Sequence, residues 1–485
     1  MEFSIDKDLR ENDLHVHFIG IGGSGMCPLA EILLAEGKKV TGSDVDGESD
    51  TVARMRRLGA EVAIGQRAEN IEYYNPDLVV YTAAVQKDNP ELLAAQSKKI
   101  PTVERAVMLG ALCRRYSRTI AFSGTHGKTT ATSMCSQILL GSRLDPSVFI
   151  GGKLPLIDAY SKAGNSGTMV VEACEFADHF LQIAPACAVI LNVDADHLEY
   201  FGSIEGVIKS FNQFAKQTTQ QLIVNGDDEN SLTALKDVDL PVIKFGMSDG
   251  NDYQAKNAKK SKNEGNGQGG LWEFDVYKNG EFWLEAKLGA PGMHNIYNAL
   301  AAAAAADYAL SDNGFNHDEI KDYIKRGLLE FTGASRRFEI HTRAGGITVA
   351  DDYAHHPTEI EATLGAAKEM GFKRVWAIFQ PFTYSRTKEH LHEFARVLQI
   401  ADKCLLTEIM AAREVDDLGV SSSQLQALIP GAEIFPSFEA IADDAIMNAR
   451  PGDLIITMGC GDIYKCAKIM AKRLDLSNTE CEMRN

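Results

Sequence analysis

Between an apolar run, Thr119 to Gly124, and a helical stretch, Lys128 to Leu140, lies Ser123-Gly124-Thr125-His126-Gly127-Lys128-Thr129-Thr130. Backbone amides converge on an anion only where a strand ends and a helix begins, so this turn demands a βα unit. The fold class that follows is α/β with a parallel sheet. A full GxxxxGK[ST] loop would need glycine at 122, where Phe122 stands, so the loop is a shorter variant. Its chemistry survives the shortening. Amides from Gly124, Thr125, His126 and Gly127 through Thr130 can wrap phosphate oxygens, Lys128 offers charge to the β and γ phosphates, and the Thr129 hydroxyl can reach Mg²⁺. The expected ligand is a nucleoside triphosphate.

The same alternation extends to both sides. Upstream, a strand (His15 to Ile21), a helix (Met26 to Glu36) and strands over Lys39 to Asp44 and Leu78 to Thr82 predict a doubly wound unit. Its turn, Gly20-Ile21-Gly22-Gly23-Ser24-Gly25, fits GxGxxG, with Asp44 ending the next strand. Such a turn specifies a diphosphate better than it specifies NAD. Downstream of the first loop, TMVVE (Thr168 to Glu172) and CAVILN (Cys187 to Asn192) read as buried strands. Beyond their ends stand Glu172, Glu175, Asp194, Asp196 and His197. Each alone reads equally as a cap or a surface charge; grouped beside a triphosphate loop they suit Mg²⁺.

From Gln254 to Gly270 apolar residues are lost, which predicts a flexible surface loop. A hairpin follows, LWEFDVY and EFWLEAKL turning at Lys278-Asn279-Gly280, and then an Ala-rich helix, Tyr297 to Leu310. At the start of that helix His294, Asn295 and Asn298 share one face, suited to a nucleotide, although capping by Asn295 explains part of the pattern equally well. A third alternation holds strands at Ile347 to Asp352, Arg374 to Gln380, Lys403 to Glu408 and Asp453 to Met458, with helices from Pro357 and Lys388. The dense polar run Ala350 to Glu359 and the segment Phe379 to Arg386 lie at strand ends, where α/β sheets place ligand sites. Met458 to Asp462 is read as a structural glycine turn.

At 485 residues the chain exceeds one core, and about 150 residues per domain suggests three units. A net charge of −18 argues against a nucleic-acid or anionic-membrane surface. The charged N-terminus and the lack of any apolar run of ~18 residues point to a soluble, cytoplasmic protein. Nine cysteines without a CxxC pair read as reduced thiols, not as a disulfide or zinc framework. A nicotinamide-dependent oxidoreductase would account for GxGxxG and Asp44 but leaves GTHGKTT unexplained.

GIGGSGM, GTHGKTT, Glu172-Ala173-Cys174-Glu175, the run Asn192 to His197, GMHNIYNALAA, GASRRFE, DDYAHHPTEI and QPFTYSRT occur in the order seen in Mur ligases. The chain resembles that family over essentially its whole length. The resemblance implies three α/β domains: a Rossmann-like UDP-sugar domain (1–113), a central P-loop ATP domain (114–333) and a Rossmann-like C-terminal ligase domain (334–485). GIGGSGM and DDYAHHPTEI look most like the branch that joins L-alanine to UDP-N-acetylmuramic acid, using ATP and Mg²⁺, in peptidoglycan synthesis. Carried over by residue, Lys128 is the phosphate lysine, and Thr129, Glu172 and His197 hold the metal. His294, Asn295, Asn298, Arg336, Arg337 and Asp351 surround ATP. The UDP-sugar lies on Gly20, Gly22, Gly23, Ser24, Gly25, Met26, Ser43 and Asp44. Tyr353, His355 and Arg386 face muramic acid and alanine, with His355 a candidate base. Lys128, His197, His355 and Arg386 form the implied catalytic set. Phe382 stands where many members of the family have histidine and Thr383 where some have arginine, which bears on the alanine carboxylate. A monomer or homodimer is expected. A ligase for a preformed peptide on the same sugar, and a non-catalytic sensor of wall precursors, remain as alternatives.

Overall fold

The computed structural model describes residues 5–11, 13–83, 85–261, 271–412 and 414–482. Three sheets carry the fold. The first holds β1 (His15–Ile19), β2 (Lys39–Asp44), β3 (Glu61–Ile64), β4 (Leu78–Tyr81) and β5 (Thr102–Glu104), in the order β3-β2-β1-β4-β5. All four pairings are parallel. Chain order reverses between β1 and β4, and a doubly wound sheet binds its ligand at such a switch point.

The second sheet has ten strands: β6 (Arg118–Ser123), β7 (Ser147–Leu154), β8 (Ala159–Lys162), β9 (Thr168–Glu172), β10 (Cys187–Ile190), β11 (Gln221–Asn225), β12 (Val242–Gly246), β13 (Tyr253–Lys260), β14 (Trp272–Lys278) and β15 (Glu281–Leu288). Their order is β15-β14-β13-β12-β11-β10-β6-β9-β7-β8. β6 is thus central, with parallel neighbours β10 and β9 on its two sides. β14 and β15 meet at Asn279 (φ 52°) and Gly280 (φ 81°), the two positive φ angles that the expected Asn-Gly hairpin requires. The third sheet holds β16 (Glu339–Ala344), β17 (Ile347–Asp352), β18 (Arg374–Phe379), β19 (Lys403–Leu406), β20 (Glu433–Ile434) and β21 (Asp453–Met458), in the order β16-β17-β21-β18-β19-β20. Only β16 in this sheet pairs antiparallel.

These sheets fall into two compact units. One comprises the described residues up to Asn257 with 274–286 and 297–331; the other comprises those of 258–273 and 287–296 and the residues from Thr332 onward. The first sheet and most of the second share the first unit, where a single hydrophobic cluster runs from Val16, Phe18 and Leu33 to Met169, Phe180 and Val224. A buried carboxylate ties the same two layers: Glu31 accepts from Arg54 Nε at 2.5 Å and from Ser161 Oγ at 2.8 Å. In the second unit β17 and β21 are buried along their full length, so both faces of that sheet are covered. Among the described residues no helix is long and apolar enough to cross a membrane. The eight cysteines described are free thiols.

Two local expectations need correction. Residues 254–260 are not loop but most of β13; residues 262–270 lie outside the described residues. The lysines of that strand misled the reading because they lie over aromatic rings of the neighbouring strand, Lys256 Nζ 5.0 Å from the Tyr277 centroid and Lys260 Nζ 5.3 Å from that of Trp272. The helix expected from Lys388 begins earlier, at Tyr384, and breaks at His390 before Leu391–Leu398.

The helix Lys128–Leu140 is braced by His317–Glu330, which starts in a capping box of Asn316 and Glu319. Gly327 of the bracing helix lies so close that a Cβ there would stand 2.8 Å from the Ile138 Cα. Helix propensity alone favours Gly327→Ala by about 1 kcal/mol. Overpacking against backbone that cannot rotate away costs about 1–3 kcal/mol and wins. Gly327→Ala is therefore expected to lower the urea midpoint, and a raised midpoint would show that the two helices can separate freely.

Candidate functional site

β6 delivers Ser123 to the middle of the second sheet, and the turn that follows is held by its neighbours. Gly124 (φ 142°) and Gly127 (φ 83°) adopt conformations that L side chains rarely take. At Gly127 a Cβ would also lie 2.5 Å from Asn298 Oδ1, so glycine is required there for two reasons. Asn192, just beyond β10, clamps the loop: its Oδ1 accepts the His126 N–H at 2.8 Å and its Nδ2 donates to the His126 carbonyl at 3.0 Å. The Asp194 N–H donates to Thr125 Oγ1 at 2.8 Å, and Asp194 Oδ2 stands 3.2 Å from His126 Nε2.

Lys128 opens the helix, with Nζ donating to the carbonyls of Gly124 (2.6 Å) and Thr125 (3.0 Å) and to Glu175 Oε1 (3.0 Å). Burial pushes an ammonium pKa down, but the Glu175 carboxylate, aided by Glu172, outweighs it and raises the pKa of Lys128. The lysine is fully charged at neutral pH. Thr129 Oγ1 donates to Glu172 Oε1 at 2.9 Å, while Glu172 Oε2 accepts the Gly151 N–H at 2.7 Å. This pairs the two expected metal oxygens, hard donors of the kind Mg²⁺ takes. Thr130 is half-buried in the same first turn.

His197 stands on a left-handed residue (φ 56°) with its ring 4.8 Å from that of Phe176, the residue after Glu175. Its Nδ1 is 3.4 Å from Glu199 Oε1, and its N–H donates to Asp196 Oδ1 at 2.8 Å. The link between His197 and the carboxylate loop runs through Phe176. That loop also contains Ala177 and Asp178, both at positive φ. Asp178 is secured by Tyr200 Oη at 2.9 Å and by Ser210. Strain of this kind persists only where surroundings impose it.

At the switch point of the first sheet a cavity of about 740 Å³ is lined by Gly20, Gly22, Gly23, Asp44, Thr82 and Asn89 among others. The Gly20 and Ile21 N–H groups donate to the Ser43 carbonyl at 2.8 and 3.0 Å, and the Gly22 N–H donates to Asp44 Oδ2 at 2.8 Å. Ser43 is buried, its hydroxyl donating to Glu91 Oε2 at 2.5 Å, and Met26 packs in the hydrophobic cluster. Ser24 is exposed. Gly25 lies against Arg105.

In the second unit Asp351 and Asp352 end β17. Arg336 (φ 61°) donates from Nε to Asp351 Oδ2 at 3.1 Å and from Nη2 to the Gly459 carbonyl at 2.5 Å. Its guanidinium lies between the rings of Tyr353 (4.9 Å) and Tyr464 (4.8 Å), and that of Arg337 lies 5.0 Å from Tyr353. Two residues expected around ATP are thus each other's partners. His355 Nδ1 is 3.1 Å from the Tyr353 carbonyl and 3.2 Å from Glu359 Oε2. Thr383 caps the helix Tyr384–Glu389 by accepting the Arg386 N–H at 3.4 Å, which gives this side chain a local structural use. Asn295 lies inside the helix His294–Ser311 and so is not its cap, and its Nδ2 donates to the Pro291 carbonyl at 2.6 Å; His294 is exposed. Cys460, read as part of a structural turn, has Arg386, Glu359 and Arg336 as electrostatic neighbours. Burial pushes its thiol up to about 12, so it stays protonated. The clamp by Asn192 was not foreseen from the sequence; a polar residue just past a parallel strand was the available signal.

Three family descriptions match the chain: "Mur ligase family, catalytic domain" over residues 15–117, "Mur ligase middle domain" over 122–306 and "Mur ligase, glutamate ligase domain" over 336–461. The UDP-N-acetylmuramate--L-alanine ligase of Acetivibrio thermocellus is 44% identical over 465 residues, covering 94% of this chain and 96% of that protein. That of Clostridium novyi is 44% identical over 467 residues, covering 95% and 98%. Among solved structures, a UDP-N-acetylmuramate-alanine ligase from Thermotoga maritima superposes with a TM-score of 0.79 at 30% identity, covering 96% of this chain and all of that one. A murein peptide ligase from Psychrobacter arcticus gives 0.72 at 26% identity, covering 95% and 98%.

Two outcomes are expected from this geometry. Gly127→Ala should weaken ATP binding at least about tenfold, since it strains the turn and displaces Asn298, with circular dichroism unchanged; calorimetry reads this directly. Asp352, buried and accepting the N–H groups of Phe338 and Ala354 at 2.8 Å each, is pushed up to about 6 by burial. A carboxyl with a raised folded pKa holds its proton more tightly when folded. Its contribution to stability is therefore present at pH 4 and lost as pH rises toward 6. The stability of wild type minus that of Asp352→Asn should fall over that window; a difference that rises or stays flat would refute the assignment.

Proposed function

The chain belongs to the Mur ligase family, and from that premise we propose that it joins L-alanine to the lactyl carboxylate of UDP-N-acetylmuramic acid while ATP is cleaved to ADP and phosphate. The observation that carries this is the end-to-end similarity to relatives named for that reaction. The muramic acid carboxylate oxygen attacks the γ-phosphorus and ADP leaves, which gives an acyl phosphate. The alanine nitrogen then attacks the acyl carbon, and the tetrahedral intermediate collapses with loss of phosphate. The ammonium proton must pass to a base, and His355, paired with Glu359, is assigned that task.

In this reading the chain's contribution is positioning and charge neutralisation. Lys128 balances charge on the β and γ phosphates; the turn Gly124 to Thr130 supplies amides, and Asn298 lies against it. Mg²⁺ fits the donors of Thr129 and Glu172, with His197 beyond Phe176, and would neutralise phosphate charge there. The UDP-sugar is assigned to the glycine turn and cavity of the first sheet. Arg336, Arg337, Asp351, His294 and Asn295 are assigned to the nucleotide, and Tyr353 and Arg386 to muramic acid and alanine. Dependence on ATP and a nucleotide-sugar substrate assigns the enzyme to the cytoplasm.

Phosphate release measured with ATP, Mg²⁺ and UDP-N-acetylmuramic acid across L-alanine, glycine, L-serine and a preformed peptide tests the reaction. Release should require both the sugar and the amino acid and be fastest with L-alanine; release that needs neither, or only the peptide, would overturn the proposal. Lys128→Ala should lower kcat by about 10²–10³-fold with the fold intact. Activity within about tenfold of wild type would remove Lys128 from the mechanism.

A further inference from the structure

The cavity at the first sheet raises an electrostatic problem. A nucleoside diphosphate brings at least two negative charges, yet Asp44, Asp46 and Asp88 line this cavity and, among the described residues, no lysine or arginine does. Amides and a helix N-terminus offer partial charges only. A cation stands just past the lining. Arg105 opens the helix Arg105–Cys113 that follows β5, and its side chain lies along the end of the glycine turn. Its Cδ, Nε and Nη1 are 2.9, 3.1 and 3.1 Å from where a Cβ on Gly25 would stand. Glycine at 25, two residues beyond the cavity-lining Gly23, is what lets a guanidinium come so close.

The remaining surroundings of Arg105 are not those of a structural arginine. The carboxylate of its neighbour Glu104 is engaged by the far nitrogen of the His179 ring, with Oε1 3.0 Å from Nε2. Among the described residues His179 is the hydrogen-bond partner of the Arg105 guanidinium, Nη2 to Nδ1 at 3.5 Å, although the group carries five N–H donors. Burial, then the Arg105 charge, lower the His179 pKa, so the imidazole is neutral at pH 7 and neither cancels nor competes with that charge. His179 and Cys174, on which the Arg105 charge also acts, flank Glu175, the carboxylate that holds Lys128. Arg105 thus stands between the turn assigned to the sugar nucleotide and the loop that serves the triphosphate lysine.

We infer that Arg105 is a substrate-binding residue whose guanidinium holds an oxyanion of the UDP-sugar, on the diphosphate or on the lactyl carboxylate; this rests on the assignment of the UDP-sugar to the first sheet. Both sources present the forked oxygens that arginine binds and that lysine matches only as a point charge. Calorimetry with UDP-N-acetylmuramic acid and with UDP-N-acetylglucosamine, which lacks the lactyl carboxylate, tests wild type, Arg105→Met and Arg105→Lys.

Arg105→Met should weaken UDP-N-acetylmuramic acid by at least about tenfold and raise its KM, with the KM for ATP within about threefold of wild type. Arg105→Lys should fall between, and it carries the test if the methionine variant does not fold. Loss of affinity for both sugars identifies the diphosphate; loss confined to UDP-N-acetylmuramic acid identifies the carboxylate. Either supports the inference. Variants that bind UDP-N-acetylmuramic acid within about threefold of wild type would overturn it while leaving the first-sheet assignment standing. Wild type that binds neither nucleotide sugar would instead sink that assignment, and the role of Arg105 with it.

Discussion

An ammonium held at the inner end of a buried strand needs negative charge beside it, and the pairing of Lys128 with Glu175 meets that need. Without the carboxylate, burial would favour the neutral amine, and the loop would lose its positive charge. Much of the second sheet can be understood from this pair. Lys128 is set by β6 and its glycine turn, and Glu175 by the loop after β9, so the two strands must be neighbours in parallel register, as they are. The strained residues Ala177 and Asp178 follow at once, anchored by Phe180, which stacks on Phe214 at 4.6 Å and meets Phe211 at 5.1 Å. Aromatic packing thereby offsets backbone strain and fixes where the carboxylate stands.

The first sheet is joined to this arrangement by shared core instead of by a linker. The cluster that includes Phe18 and Met26 continues to Met169 and Phe180, so the glycine turn at Gly20 and the loop at Glu175 belong to one packed body. Arg105 and His179 meet across that junction, as do Glu31 and Ser161. The glycine turn and the Lys128 loop are therefore positioned by the same packed core, and an arrangement of this kind suits a reaction governed by approach geometry.

The second unit uses a different device. Arg336 is caught between two tyrosine rings, a buried aspartate and a backbone carbonyl, so its guanidinium is oriented before any ligand is considered. Asp351 in turn is held by Thr457 Oγ1 at 2.6 Å from the neighbouring strand β21. A buried charge pair of this kind contributes less to net stability than to a defined side-chain orientation.

Read from residues alone, the chain already determined its α/β class, the two glycine turns, the Asn-Gly hairpin and the strands Lys39–Asp44, Thr168–Glu172, Ile347–Asp352 and Asp453–Met458. Those features are local: a turn needs glycine at positive φ, and a strand buried on both faces needs an unbroken apolar run. Lysines laid on aromatic rings hid β13, because their partners lie on another strand. The same limit applied to the sites. Glu172, Glu175, Asp194 and His197 were legible as candidates, but that Glu172 would meet Thr129, Glu175 would meet Lys128 and Asp194 would meet His126 depended on strand order. The clamp of Asn192 on His126, the closeness of Asn298 to Gly127 and the meeting of Gly25, Arg105 and His179 arise from contacts between residues 66, 171, 80 and 74 positions apart. Nothing in local propensity encodes such distances; they follow from how the sheets order their strands and where their shared core lets the layers touch.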